Sequence, residues 1–419
     1  MRPKPQVCFI VGARPNFMKA APVYRGLSEL NSDVELMLVH TGQHYDAQMS
    51  VVFVDELELP QPDVFLAVGS GTHAEQTAKA LVGVERVLLE HAPSLCVVAG
   101  DVNSTLAGAL AASKLQVPVA HIEAGLRSFD DAMPEEANRR LTDHLSRILL
   151  AHSQEAVENL RTEAIAQERI HLVGNTMIDS VLRHLPNALA RQPWAGLGVD
   201  PGAFALVTLH RPALVDHVDL LRQTVDALGD LGHLMPVVFP VHPRTAARLI
   251  AMGLDPDRLR ESGLRVCPPL GYLDFLALEA KAAFVVTDSG GVQEETSALG
   301  VPCFTLRDGT ERPVTVELGT NVVVGVDPGR IREIPQMLKD TRRPAAHIPL
   351  WDGHAGRRAA EVISEFLARP SVAVRDEPRR VGRRGGVIQF SSCDGSSEAT
   401  EMTSGHPTRG RPVGRRPRR

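Results

Sequence analysis

Five stretches of the sequence place charged or glycine-rich clusters directly after an apolar, strand-like run. VCFIV leads into GARPNFMK, so Gly12, Arg14, Pro15 and Lys19 stand at the start of a helix-like segment. Two cations there, added to the positive end of a helix, suit a pyrophosphate, and solvated surface charges are the plainer reading. The stretch lacks G-x-G-x-x-G, which disfavours a classical dinucleotide site. LCVVA runs into GDVNST, with Asp101 at the strand end and Asn103 or Ser104 available to cap the next helix. Asp101 also reads as a turn or cap residue. VAHIEAGLRS closes a strand with Glu123 just ahead of Gly125, and MPEEANRR opens a helix with Glu135 and Glu136. A carboxylate in a first helical turn also simply complements the helix dipole. Arg139, Arg140 and Asp143 read as that helix's own ion-pair face.

VTLHRP puts His210 and Arg211 at a strand end, where an imidazole serves phosphate contact or proton transfer. VFPVHPR repeats the arrangement with His242 and Arg244. FVVTDSGGVQEE feeds Ser289, Gly290 and Gly291 into a helix start, whose N–H groups attract an anion. Glu295 follows one turn later, where a carboxylate can accept ribose hydroxyls. Taken together, these are cations, a backbone anion cradle and three carboxylates, Asp101, Glu123 and Glu135. That is equipment for a diphosphate ligand plus proton transfer.

Such residues act together only if their strands share one sheet edge. Apolar runs at Val7–Val11, Val34–His40, Leu95–Ala99, Val119–Glu123, Ile148–Ala151 and His171–Val173 alternate with helix-like segments such as Ala74–His91 and Ser104–Leu115. The pattern restarts at Ala203–Leu209, Val237–Val241, Leu264–Val266, Phe284–Thr287, Cys303–Leu306 and Asn321–Val324. Short strands apolar on both faces predict parallel sheets covered by helices, an α/β doubly wound architecture. Because the pattern runs twice, it predicts two Rossmann-like domains facing across a cleft. The first spans residues 1–186 and carries the carboxylates. The second spans 187–354, entered through a Pro- and Gly-bearing linker at Asn187–Gly202, and binds the nucleotide. A final helix near Ala355–Leu367, in a segment 355–369, returns to the first domain.

Residues 370–419 hold eleven Arg against five Asp and Glu, a net +6, and little apolar content. That composition predicts a disordered basic tail. With −5 for the whole chain, the remainder carries −11, a poor match to nucleic acid. The 419 residues are 43% hydrophobic and 23% charged, as in ordinary globular domains. No apolar run approaches the roughly 18 residues of a bilayer span, so no membrane association is expected. The N-terminus reads as lacking a secretory signal, and five cysteines without a CxxC pair argue against disulfides or zinc. The expected location is cytoplasmic, with no metal and no cofactor.

In the order and number of its motifs the chain resembles the non-hydrolysing UDP-N-acetylglucosamine 2-epimerases over roughly residues 7–365. The matching stretches are GARPNFMKAAP, TGQHYD, GDVNSTLA, HIEAGLRS, MPEEANRRLTDHLS, VGNTMID, TLHR, TDSGGVQEE and RDGTERP. The resemblance implies the two-domain GT-B fold and reversible inversion of C2 of UDP-GlcNAc to UDP-ManNAc. It implies elimination and re-addition of UDP through 2-acetamidoglucal, without nicotinamide. It further implies a homodimer whose product feeds a cell-surface polysaccharide. Carried over by motif, Asp101, Glu123 and Glu135 form the acid/base group, and His210 contacts or protonates the phosphate side. Arg14 and Lys19 lie near the diphosphate and sugar. Ser289, Gly290 and Gly291 hold phosphate oxygens, Glu295 the ribose, and Arg312 completes the charge clamp. Leu270 and Phe275 in PLGYLDF frame the uracil. Gln43 and His44, together with His242, match a region that in some members binds a second UDP-GlcNAc and activates the enzyme.

The sequence departs from the family at three places. After TLHR it continues Pro212-Ala213-Leu214-Val215-Asp216, where more familiar members have Arg-Glu or Glu-Asn. The spacer between Glu123 and Glu135 is about two residues shorter than in some members. The Arg-rich tail has no counterpart. Two other enzymes would use much of the same equipment: a GT-B glycosyltransferase taking a UDP-sugar, and an epimerase of a different 2-acetamido UDP-sugar.

Overall fold

The computed structural model describes residues 4–30, 33–42, 56–254, 256–261, 263–340 and 347–369. Gln43, His44, the side chain of Arg14 and the tail from 370 onward lie outside the described residues. Residues 1–370 form one compact unit. It is built on two all-parallel sheets.

The first sheet comprises β1 (Gln6–Val11), β2 (Glu35–His40), β3 (Val64–Phe65), β4 (Leu95–Ala99), β5 (Val119–Ala124), β6 (Ile148–Ala151) and β7 (Ile170–Leu172), in the order β3-β2-β1-β4-β5-β6-β7. The second comprises β8 (Ala205–Thr208), β9 (Val237–Pro240), β10 (Leu264–Cys267), β11 (Phe284–Thr287), β12 (Cys303–Thr305) and β13 (Asn321–Val323), in the order β10-β9-β8-β11-β12-β13. Runs such as Leu95–Ala99 and Phe284–Thr287 are buried at every position, which is why they read as continuously apolar. Both orders reverse direction at one place, between β1 and β4 and between β8 and β11. In open α/β sheets the ligand crevice lies beyond the carboxyl ends of the strands at such a switch point.

Six helices bear on the site: α1 (Arg14–Leu30), α2 (Asn103–Lys114), α3 (Pro134–Leu145), α4 (Thr176–Arg191), α5 (Gly290–Leu299) and α6 (Ala355–Ala368). The first core packs α1, α4 and α6 against the first sheet. It also takes in Tyr272, Leu276 and Ala277 from the helix Tyr272–Lys281, so the second half of the chain rests on α4. The carboxylate of Asp179, in VGNTMID, accepts the N–H groups of Ala355 and Gly356 at 3.1 and 2.7 Å. A side chain of α4 thereby caps the start of α6 and fixes its return to the first sheet.

The stretch Asn187–Gly202 is less of a linker than its composition suggests. Its first five residues continue α4, which accommodates Pro186 inside the helix, and Pro193–Gly196 form a further short helix.

Candidate active site

The two switch points face one cavity of about 380 Å³. That volume falls within the range of small-molecule sites. From the first half it is lined by Pro15, Met18, Lys19, Asp101, Arg139 and Met177. From the second come Thr208, His210, Arg211, His242, Leu270, Phe275, Ser289, Gly290, Gly291, Glu295 and Arg312, among others.

The wall formed by the first sheet is a set of paired charges. Asn16 closes the turn after β1: its Oδ1 accepts the N–H groups of Gly12 and Ala13 at 3.1 and 3.0 Å, and its Nδ2 donates to Ala99 O at 2.7 Å. This ties the end of β1 to the end of β4, one residue before Gly100. Asp101 accepts from Arg139 Nε and Nη2 at 3.0 and 2.6 Å. Burial alone would raise the Asp101 carboxyl, yet the charges of Arg139, Lys19 and Arg312 hold it below the usual carboxylate range. Asp101 stands in the bend between β4 and α2 but is not the helix cap, since Val102 occupies the N-cap position of α2. Asn103 instead donates to Gln76 Oε1 at 3.0 Å, and the Ser104 hydroxyl meets that of Thr41 at 2.7 Å.

Glu123 is reached through a distortion of the sheet. Ile122 pairs with Leu150 and Ala124 with Ala151, so Glu123 is a bulge on β5, and its φ is 69°. A left-handed glutamate costs on the order of 1–3 kcal/mol, and bulges re-aim side chains near active sites. Here the re-aimed carboxylate accepts a hydrogen bond from Lys19 Nζ and lies 3.4 Å from Arg312 Nη2. Glu123 is buried directly behind the cavity wall that Lys19 and Arg312 form.

Glu135 is not brought into this group. It is half-buried in the first turn of α3 and does not line the cavity. Its neighbour Glu136 is buried, accepts the N–H and hydroxyl of Ser128 at 2.8 and 2.9 Å, and pairs with Arg139 Nη1 at 3.0 Å. Nor do Arg139, Arg140 and Asp143 form an ion-pair face of α3 alone. Arg139 reaches across to Asp101, and Asp143 pairs with Arg127 and His121. Arg139 is the cavity cation that the linear pattern concealed, because its partner lies 38 residues away.

The opposite wall carries anion-binding groups. Ser289 occupies the N-cap position of α5 without capping it through its side chain. The first-turn N–H groups at Gly290 and Gly291 have no intrahelical acceptor and lie at the cavity. A methyl group at Gly290 would stand 2.4 Å from Arg312 Nη1, so only glycine lets that guanidinium lie against the helix start. Arg312 places Nε 3.0 Å from Glu294, Nη1 3.5 Å from Glu311 and Nη2 3.4 Å from Glu123. Burial would lower its pKa, but Glu294, Glu123, Glu311 and Asp101 raise it and keep the charge on. Burial would likewise raise Glu294, whereas Arg312 and then His152 bring it down to about 2. Arg312 is thus a buried strut between the second-sheet loops and β5.

His210 is fixed from behind. Its Nδ1 lies 2.9 Å from Asp288 Oδ1, while Asp288 Oδ2 accepts the N–H groups of His210 and Arg211, both at 2.8 Å. Asp288 is buried; that burial would raise its carboxyl, and the His210 contact and the two N–H donors lower it. The His242 ring centroid is 5.8 Å from that of His210, and His242 lines the same cavity. Leu270, Phe275 and the buried Glu295 line the same space. The departing segment after His210 forms a short helix, Pro212–Val215, and Asp216 beyond it pairs with Arg244 and Arg248. Arg14 opens α1, and Gln43 and His44 lie outside the described residues.

The family model described as UDP-N-acetylglucosamine 2-epimerase matches residues 28–364. A UDP-N-acetylglucosamine 2-epimerase of Methanocaldococcus jannaschii is 42% identical over 365 residues, covering 86% of this chain and 99% of that protein. A UDP-2,3-diacetamido-2,3-dideoxy-D-glucuronate 2-epimerase of Pseudomonas aeruginosa is 40% identical over 370 residues, covering 87% and 99%. The crystal structure of the Methanocaldococcus jannaschii UDP-GlcNAc 2-epimerase in complex with UDP-GlcNAc and UDP superimposes with a TM-score of 0.79, at 42% identity over 86% of this chain and 99% of that one. On sequence and on fold alike, this chain belongs to the UDP-N-acetylglucosamine 2-epimerase family.

Proposed function

We propose that the protein interconverts UDP-GlcNAc and UDP-ManNAc by eliminating and re-adding UDP. The observation that carries this reading is the division of the cavity. Asp101 lines one side with Glu123 of the adjacent strand behind its wall, the α5 start and His210 stand on the other, and Arg312 bridges the two. The C2 hydrogen has no adjacent carbonyl and is barely acidic. Its removal must therefore accompany departure of the group at C1. A carboxylate takes the C2 proton, the C1–O bond breaks with its electron pair going to UDP, and 2-acetamidoglucal remains. Return of a proton to the opposite face of C2, and of UDP to C1, completes the inversion. Growing charge on the leaving diphosphate is offset by the first-turn N–H groups of α5, by Arg312 and by His210.

Two faces of one carbon need two acid/base groups, and in this reading Asp101 and Glu123 supply them. Glu135 serves as a third only if the first turn of α3 moves inward. Arg14 and Lys19 hold the diphosphate and sugar, Ser289, Gly290 and Gly291 the phosphate oxygens, Glu295 the ribose, and Leu270 with Phe275 the uracil. Gln43, His44 and His242 remain the proposed activating site. The active species is a cytoplasmic homodimer, with the second domain starting near residue 187.

The test is incubation with UDP-GlcNAc in deuterated water, followed by proton NMR. Loss of the C2 proton signal with appearance of UDP-ManNAc is the expected result. Transfer only on adding an acceptor would assign a glycosyltransferase instead. One finding favours a second substrate reading: the Pseudomonas aeruginosa relative acts, by its name, on a diacetamido uronate. Exchange with that nucleotide sugar and none with UDP-GlcNAc would establish it.

A further inference from the structure

The strand that carries Glu123 also carries His121, two residues earlier and wholly buried. Its two ring nitrogens face two different acceptors. Nε2 lies 2.8 Å from the carbonyl oxygen of Gly100, which can only accept. Nδ1 lies 2.7 Å from Asp143 Oδ1. The other oxygen of Asp143 already accepts Arg127 Nη1 at 2.8 Å and the Gly125 N–H at 3.1 Å. Burial would raise the Asp143 carboxyl, but His121 and then Arg127 bring it below the ordinary range, so it is a carboxylate. Arg127 is balanced in turn by Glu163, at 2.6 Å from Nε and 2.8 Å from Nη2. The ring thus meets an acceptor at each nitrogen, and Nε2 donates to the Gly100 carbonyl.

Gly100 lies against both Asp101, which lines the cavity, and Glu123, which backs its wall. It precedes Asp101, has φ +67°, and its N–H donates to Ile122 O at 3.0 Å. A Cβ on it would lie 3.0 Å from Lys19 Nζ and 3.4 Å from Glu123 Oε2. The next carbonyl, that of Asp101, is held by Asn138 Nδ2 at 2.9 Å. Hence the backbone under Asp101 is pinned at two consecutive carbonyls, one of them by a buried ring.

Resting on the epimerase reading above, we propose that His121 is a positioning residue, whose ring, set between Asp143 and Gly100, holds the Gly100 carbonyl through Nε2–H and so sets the distance of Asp101 and Glu123 from the reacting carbon. A displacement near 1 Å at a catalytic group costs roughly 100-fold in rate. His121→Gln, whose shorter-reaching amide cannot span both acceptors, is expected to lower kcat for C2 exchange by about that factor. KM and UDP affinity should stay within about twofold. A residue that merely fills the core would lower thermal stability and leave kcat in place.

The second measurement needs no variant. In ¹⁵N-histidine-labelled wild-type protein, His121 Nε2 should carry the attached proton that it donates to the Gly100 carbonyl. An unprotonated His121 Nε2 would overturn the inference, as would a His121→Gln enzyme with unchanged kcat. Absence of C2 exchange in the wild type would instead overturn the proposed reaction, while the nitrogen signature still decides the state of His121.

Discussion

Two aspartates occupy the same place in the two sheets and are used in opposite ways. Asp101 follows β4 and Asp288 follows β11, each the strand across the switch point from the first strand of its sheet. Asp101 lines the cavity, held there by Arg139 arriving from α3. Asp288 is turned inward, where it accepts two backbone N–H groups and stands behind His210. The fold thus determines where chemistry can occur, and the neighbouring side chains decide what it is. On the first sheet the switch point presents carboxylates backed by cations. On the second it presents N–H groups, an imidazole and a guanidinium backed by carboxylates.

This contrast breaks first at Asp101. Asp101→Asn, or Glu123→Gln, should slow C2 exchange by 10²–10⁴-fold while UDP binding, measured calorimetrically, stays nearly intact. Weakened UDP binding in either variant would show that these carboxylates serve to hold the nucleotide-binding cations Lys19 and Arg312 and not the proton. On the second wall the two glycines separate. Gly290→Ala drives a methyl into Arg312 and should cost about 1–3 kcal/mol of stability together with UDP affinity. Gly291→Ala meets only Met177 at 3.5 Å and should lose UDP affinity without a lower melting temperature. Equal melting temperatures for the two would remove the assigned role of the Arg312 contact.

Asp288→Asn tests the inward aspartate. It should cost roughly tenfold in kcat, about 1.4 kcal/mol of barrier, because His210 loses the acceptor that orients it. A further effect is on acid stability. Glu294 falls from 4.5 to about 2 in the folded chain, so its contribution is full above pH 4.5 and is lost as pH falls through about 2. Urea midpoints should decline over that window, and a flat profile would mean that the Glu294–Arg312 pairing adds nothing to stability.

Most of the architecture was legible because buried parallel strands are continuous apolar runs. Leu95–Ala99, Ile148–Ala151 and Phe284–Thr287 coincide with the expected strands, and others shift by one or two residues. β3 is only Val64–Phe65, too short to form a run. The helical start of the supposed linker was masked by Pro186, which α4 tolerates. Strand-end position, a rule that depends on local sequence, pointed to Asp101, His210 and Ser289, which line the cavity, and to Glu123, which lies behind its wall. What it could not convey was pairing across long separations. Arg139 and Asp101, Arg312 and Glu123, and His121 and Gly100 meet only through the sheet order. Likewise the bulge at Glu123 leaves no mark in the letters beyond the nearby Gly125. Conversely, His121 was visible as a polar residue within an apolar strand, a signal that points to a buried partner.

If UDP departs on one wall while the proton moves on the other, one isotope experiment shows it. UDP-GlcNAc is prepared with ¹⁸O in the bridge between C1 and the β-phosphorus and incubated with the enzyme, and its phosphorus resonances are followed. Cleavage of the C1–O bond makes that oxygen equivalent to the other two terminal β-phosphate oxygens, so the label should scramble into non-bridging positions during turnover. C2 inversion with the label still wholly in the bridge would contradict elimination and the division of labour argued from the two sheets.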